Sequence, residues 1–237
     1  MKILAIDTSA DIATCAICED DRLLAEVSVK TRTHSAIILP AAESLMKSAG
    51  IGYGDIGMYA VSAGPGSFTG IRIGVAAVKG LAFSHSTPCV GVSSLEAMAY
   101  SLAGIPCIAV PVIDARRDMV YTALFRSLPD GTVERLCEDT QIAITELIET
   151  LAGYGDEAIY LTGDAYDKVK AAADPGRIAE TPVRLRWQSA YGVARAAFER
   201  WSSAPDRSVF TDAALNPVYL KKSQAERERE ERLAEEK

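Results

Sequence analysis

Histidine is nearly missing from this chain. Only His34 and His85 occur in 237 residues, so a histidine-rich metal site cannot be built within it. A Ser–His–Asp triad would have to use one of these two. No G-x-S-x-G elbow is present to supply its serine, and no H-E-x-x-H occurs. Long apolar runs are missing too. No stretch reaches the roughly eighteen residues that a membrane-spanning helix needs, so no membrane partner is expected. Excess basic charge is absent: the net charge is −7 and the pI about 5.0. That speaks against a chain whose main task is to grip nucleic acid by charge. The start, Met1 to Asp7, meets an aspartate too early for a secretory signal. Five cysteines, an odd number scattered mostly in apolar runs, fit a reducing cytoplasm, the expected location. Cys15 and Cys18 form a C-x-x-C string, but on a strand they point to opposite faces. They read as small buried hydrophobes, not ligands.

What is present is a core. Apolar residues make up 49% of the chain, enough for one large domain or two small ones. The most unusual stretch is Gly64-Pro65-Gly66-Ser67-Phe68-Thr69-Gly70-Ile71-Arg72-Ile73-Gly74. It follows the apolar run Met58–Val61 and precedes a segment with helical spacing, so it reads as strand, glycine turn, helix. Ser67 or Thr69 can cap the helix. Such a turn could hold an anion at the helix N-terminus, or let the helix lie close to a neighbour. It is not a Walker A loop, because Ile71-Arg72 stand where Lys and Ser or Thr belong. Nor is it the dinucleotide fingerprint, because Thr69 replaces a glycine. Gly70, Gly74, Ala76 and Gly80 continue small residues into the helix, where each glycine costs roughly 1 kcal/mol against alanine. That implies a geometric need for close packing.

In chain order, strands are expected at 2–7, 12–18 and 23–29, with a polar turn Asp7–Asp11 after the first. This turn is a possible phosphate or magnesium corner or an ordinary hairpin; composition favours the hairpin. A helix is expected from His34 to about Ala49, closed by Gly50, with Pro40 kinking it or marking its first turn. Its apolar positions cover about half the circumference, leaving some for a partner. His34 reads as structural or as an interface polar group. Further strands follow at 58–63 and 89–92, then a helix to about Ala103 opened by Ser93 with Glu96 as a capping box. After Gly104-Ile105-Pro106 the plan repeats: strand 107–113 ending at Asp114, turn, strand 119–125, a third at 133–139, helix 145–152, strand 158–161, helix 166–173 and a helix from about Ser189 to Trp201. This predicts two similar α/β subdomains, at 1–103 and 104–207. The tail from Lys221 carries six basic and six acidic residues and reads as a solvated helix or frayed end. Arg184, Arg186, Arg195 and Arg200 could touch tRNA but read more simply as a solvated face.

The glycine stretch, Ile6-Asp7-Thr8-Ser9, His34-Ser35…Leu39-Pro40 and the closing Pro217-Val218-Tyr219-Leu220-Lys221 together closely resemble the TsaB (YeaZ) family. The resemblance spans the chain and is most specific in its first hundred residues. It implies the two-domain fold of the actin and sugar-kinase (ASKHA) superfamily, each subdomain a mixed sheet with helices, with segment 208–222 returning to the first and 223–237 a charged tail. It further implies a subunit of the bacterial machinery that makes threonylcarbamoyladenosine (t6A) in tRNA. The catalytic relative, TsaD, carries metal-binding histidines where this chain has Ser94 and Met98, so no catalytic and no metal residues are expected. Asp7, Thr8, Ser9 and Gly163 are weak nucleotide-site candidates. Thr162-Gly163-Asp164-Ala165 matches the second phosphate motif only in part.

The expected role is therefore a non-catalytic scaffold for TsaD. The expected partner surface comprises His34, Ile37, Ile38, Ala41 and Leu45 on one helix and Gly70, Ile71, Gly74, Val75 and Val78 on the next. Gly64, Pro65, Gly66, Ser67, Phe68, Thr69 and Arg72 form the structural turn. The resemblance further implies a TsaE-type ATPase as third partner, a homodimer when alone, tRNA reached through the complex, and no intrinsic cofactor, with ATP or ADP a possibility at the TsaD interface. The rival expectation is an ATP-binding hydrolase or peptidase-like enzyme, with Asp7, Asp114 and the Gly163 loop around a nucleotide.

Overall fold

A computed structural model describes residues 1–31 and 33–220. The charged tail and Lys221 of the closing motif lie outside the described residues. The chain opens with β1 (Lys2–Asp7), β2 (Ile12–Glu19) and β3 (Arg22–Lys30), followed by α1 (His34–Ala49), β4 (Ile56–Gly64), α2 (Phe68–Phe83), β5 (Cys89–Ser93) and α3 (Ser94–Ala99). Their sheet has the order β3-β2-β1-β4-β5. The β1–β2 and β2–β3 pairs are antiparallel, and β1–β4 and β4–β5 parallel. The alternation of β1 decides what covers each face. Leu4 and Ile6 pack with Ile38, Ala42 and Met46 of α1 and Ile71, Val75 and Val78 of α2. Ile3 and Ala5 face the other way. Cys15 and Cys18 split between these two cores, and burial pushes both thiols up to about 12. They are inert packing groups, as their strand spacing implies.

The second lobe contains β6 (Cys107–Asp114), β7 (Met119–Thr122), β8 (Phe125–Ser127), β9 (Val133–Arg135), β10 (Thr140–Ala143), α4 (Ile144–Ala152), β11 (Ile159–Thr162) and α5 (Tyr166–Ala172). Its sheet runs β10-β7-β6-β8-β9, with β11 parallel to β6. Two α/β lobes in tandem agree with the expected class. The strand expected at 119–125 is instead two, both antiparallel to β6. Thr122 pairs with Val112, so the next partner would be Pro111, which has no N–H to give. At the break Leu124 turns to Leu136 and Cys137, accepting from Leu136 N at 2.8 Å and donating to Cys137 Sγ at 3.1 Å. The strand expected at 133–139 likewise shortens to β9, and β10 was not foreseen.

The last helix, α6 (Ala190–Ser203), corrects the division by chain order. Although it lies within 104–207, its Ala190, Val193, Ala194 and Ala197 pack against Ile3 and Ala5 of the first sheet. A helix's apolar stripe says that it is covered, not by which sheet. The first lobe thus has α1 and α2 on one face and α6 on the other. Gly192 lets α6 cross α3 closely, because a Cβ there would fall on the Ala97 carbonyl. The other side of α3 presents Leu95 and Met98 to the second lobe's Ala109 and Phe125. The helix expected to reach Ala103 ends at Ala99 and continues as a 3-10 turn over Tyr100–Leu102. Segment 208–220 returns to the first lobe: Leu215 enters its core, and Val218 N donates to Ala63 O at 2.7 Å.

Candidate functional site

The glycine turn leaves β4 at Gly64, whose φ of 124° suits glycine alone among L residues. A Cβ there would fall on the Val218 carbonyl oxygen. Ser67 caps α2, its Oγ accepting from Gly70 N at 3.3 Å. Gly70 sits against the backbone of the β1–β2 turn, where a Cβ would collide with Thr8 O. Thr8 Oγ1 in turn donates to Gly70 O at 2.7 Å. A Cβ on Gly74 would come within 2.6 Å of Thr8 Oγ1. Ser67 N donates to Ser9 O at 2.6 Å. Close packing is therefore the purpose of the stretch, and the neighbour is the chain's own first turn, not a partner's helix. A Cβ on Gly80, in contrast, would meet nothing within 4 Å beyond its own helix among the described residues.

These contacts also bear on the anion question. The Ser9 N–H goes to Asp7 Oδ1 at 2.7 Å, the Ser67 N–H to Ser9 O and the Gly70 N–H to Ser67 Oγ. The N–H groups of Ser9, Ser67 and Gly70 are thus spent within the chain. Asp7 is fully buried and also accepts from Ser62 Oγ at 2.7 Å. Burial pushes its carboxyl above the usual range, against the pull of its Ser9 and Ser62 hydrogen bonds. Asp7 and Thr8 thus lie inside the fold as girders of the turn. Gly163 is structural as well: its N–H donates to Arg186 O at 2.7 Å, and a Cβ would fall on Val112 O.

A cleft of about 600 Å³ separates the lobes. Ser9, His34 and Thr69 line it from the first lobe, and Asp114, Arg116 and Asp164 from the second. His34 Nε2 is buried without a hydrogen-bond partner among the described residues. Asp114 pairs with Lys168 Nζ at 2.9 Å and accepts from Arg116 N at 2.9 Å. Partial burial works against its charge, but Lys168 and Arg116 hold its carboxyl below the ordinary range. Asp164 accepts from Asp114 N at 2.8 Å. Burial, with repulsion from Asp114 and Asp11, outweighs that bond and raises its pKa. Ser94 and Met98, which the resemblance places where metal-binding histidines are expected in TsaD, are fully buried. Glu96 pairs with Arg135 at 3.3 Å and not with its own helix N-terminus, so Ser93 alone supplies the cap. Among the described residues no cluster of His, Cys, Asp or Glu is placed to hold a metal ion.

The expected partner residues fall into two groups. Ile38, Gly70, Ile71, Gly74, Val75 and Val78 are buried within the chain and cannot meet a partner; they are corrected here to core positions. His34, Ile37, Ala41 and Leu45 stay half-buried on α1. Spacing alone missed the outward stripe of α2: Arg72, Ala76, Gly80 and Phe83 are exposed, Phe83 by 78%. On α1, Leu39 is 42% exposed. Pro40 stands inside α1 on its exposed side, not at a first turn. The helical period does put Arg72, Ala76 and Phe83 on one stripe, about a third of a turn round from Ile71, Val75 and Val78, a signal that could have been read. Of the four arginines considered for tRNA, Arg186 donates to Thr181 O at 2.8 Å, Arg195 pairs with Glu199 at 3.7 Å and Arg200 donates to Gly91 O at 2.6 Å. These three serve the fold, and Arg184 is exposed.

Residues 26–199 match the family described as TsaD, tRNA N6-adenosine threonylcarbamoyltransferase. The chain is 34% identical to the tRNA threonylcarbamoyladenosine biosynthesis protein TsaB of Bacillus subtilis over 165 residues, 69% of this chain and 72% of that one. It is 36% identical to the Escherichia coli protein of the same name over 134 residues, 55% of this chain and 58% of that one. The solved structure of YeaZ from Pseudomonas aeruginosa superposes with a TM-score of 0.71 at 24% identity, covering 92% of this chain and 99% of that one. Among the described residues no helix is long and apolar enough to cross a membrane.

Proposed function

The chain belongs to the TsaB (YeaZ) family, and from that premise we propose that it is a non-catalytic subunit of tRNA threonylcarbamoyladenosine synthesis that supports a TsaD-type catalytic paralogue. One observation carries the scaffold reading. The N–H groups of Ser9, Ser67 and Gly70 are bonded inside the fold, while α1 and α2 leave an apolar, small-residue stripe uncovered. Ile37, Leu39, Ala76 and Phe83 are the contact residues. A matching pair of helices on the paralogue would lie against them in a four-helix contact. Alone, two copies would pair about a twofold axis through the same face. A TsaE-type ATPase joins as third member, tRNA is reached through the assembled complex in the cytoplasm, and ATP or ADP, where required, sits at the shared interface.

The test is co-purification of the full chain with its TsaD-type paralogue. Ile37→Asp, on a half-buried position, should weaken the complex about a hundredfold or more, the range of an interface hot spot. The circular dichroism of the isolated variant should stay native. Undiminished co-elution of Ile37→Asp overturns the surface assignment, and magnesium-dependent ATP turnover by the isolated chain overturns the non-catalytic role.

A further inference from the structure

We infer that the segment Leu215–Leu220 is a latch: it clamps the glycine turn and first turn of α2, and so sets the orientation in which α2 meets a partner. The consequence for a partner rests on the surface proposed above; the latch itself does not.

Its fixed end is Leu215, buried in the first core. Gly91 makes room for it, since a Cβ there would stand 2.8 Å from Leu215 Cδ1. Lys79 of α2 donates from Nζ to Leu215 O at 3.0 Å. Val218 then extends the end of β4, donating its N–H to Ala63 O and resting its carbonyl where only a glycine at 64 leaves space. The free end is Tyr219. Its ring stacks on Phe68, the first residue of α2, with centroids 4.6 Å apart. Arg72, one turn on, donates from Nε to Tyr219 Oη at 2.8 Å and lays its guanidinium 3.9 Å from the Phe68 ring centre. One aromatic–guanidinium stack thus ties this segment to both the start and the second turn of α2.

The two ends differ in how firmly they are held. Leu215 is 6% exposed, whereas Val218, Tyr219 and Leu220 are 51%, 39% and 38% exposed. Segments with few buried apolar contacts open locally without global unfolding. Opening at Tyr219 breaks the Arg72 bond and uncovers Phe68. Because Val218, Tyr219 and Leu220 line the inter-lobe cleft, the same opening widens the cleft. Cleft and partner-facing helix are therefore coupled through this one segment.

Hydrogen exchange on the isolated full chain tests the latch. Tyr219→Ala should speed exchange of peptides covering 64–72 and 215–220 about tenfold or more, and leave 159–172 in the second lobe unchanged. Tyr219→Phe, which keeps the stack and loses the Arg72 bond, should fall between. Unchanged exchange at 64–72 overturns the latch. Affinity for the catalytic paralogue separates the two readings. If exchange rises, Tyr219→Ala binds several-fold more weakly and Ile37→Asp fails to bind, both stand. If Tyr219→Ala binds like wild type while Ile37→Asp fails, the coupling of latch to partner is wrong. If Ile37→Asp binds normally, the partner surface is wrong while the exchange result still decides the latch.

Discussion

At the scale of single residues, identical glycines in one helix do opposite work. Gly70 is pressed against the Thr8 carbonyl, and Gly80 faces open space. Gly70→Ala should therefore cost about 1–3 kcal/mol through overpacking. Gly80→Ala should add about 0.5–1 kcal/mol by removing a glycine from a helix interior. Urea unfolding of the two variants checks this, and a loss of stability in Gly80→Ala would mean the exposed stripe of α2 is already packed. Asp7 is the second informative residue. Its carboxyl is raised above the ordinary 3.8 by burial, so the folded state holds its proton more tightly than the unfolded chain does. Its favourable contribution is present at low pH and is lost as pH rises above that ordinary value. Asp7→Asn keeps an acceptor oxygen without the charge. Against wild type its relative stability should rise as pH climbs above about 4. Asp7→Ala strands the Ser9 N–H and the Ser62 hydroxyl and should lose about 1–3 kcal/mol. A pH-independent gap between wild type and Asp7→Asn would mean that the buried charge carries no cost.

At the scale of elements, local periodicity set the legible part. Strands β1, β2 and β4 announce themselves by short apolar runs, and α1 by its stripe and by Gly50, which closes it at φ 67°. The broken strand at Ala123 was not legible, because the cause, Pro111, sits on the neighbouring strand. The docking of α6 was not legible either. Its N-cap Ser189 gives no side-chain bond to its own helix. Glu26 of β3 caps the helix from a distance instead, accepting from Tyr191 N at 3.1 Å and Ser189 Oγ at 2.7 Å. A carboxylate at a helix N-terminus also meets the favourable end of the helix dipole. Glu26→Ala should cost about 0.5–2 kcal/mol, the range for a lost cap, measured by urea titration. An unchanged midpoint would show that the packing of α6 on the sheet holds it without Glu26.

At the scale of the whole molecule, α3 and α6 cross between the lobes, and Leu215–Leu220 returns to the first lobe near the cleft. The second lobe thus contributes the far wall of the cleft, while the first carries the uncovered helices. The glycine turn is tied to the first turn of the chain by hydrogen bonds of its own, and Ser94 and Met98 are buried. The outward faces of α1 and α2 remain for association.

The amino-acid order alone determined the class of fold, most element positions and the family. These rest on hydrophobic periods and on a glycine motif whose backbone demands are local. It also determined that α2 packs closely against something, because glycine inside a helix is a cost that needs a reason. Only the tertiary structure decided that the close neighbour is the Thr8–Ser9 turn. It likewise decided that Gly70, Gly74 and Val78 are core and that Tyr219 is anchored over Phe68. A small side chain records that space is scarce; which atoms occupy that space depends on contacts between residues as distant in sequence as Gly64 and Val218.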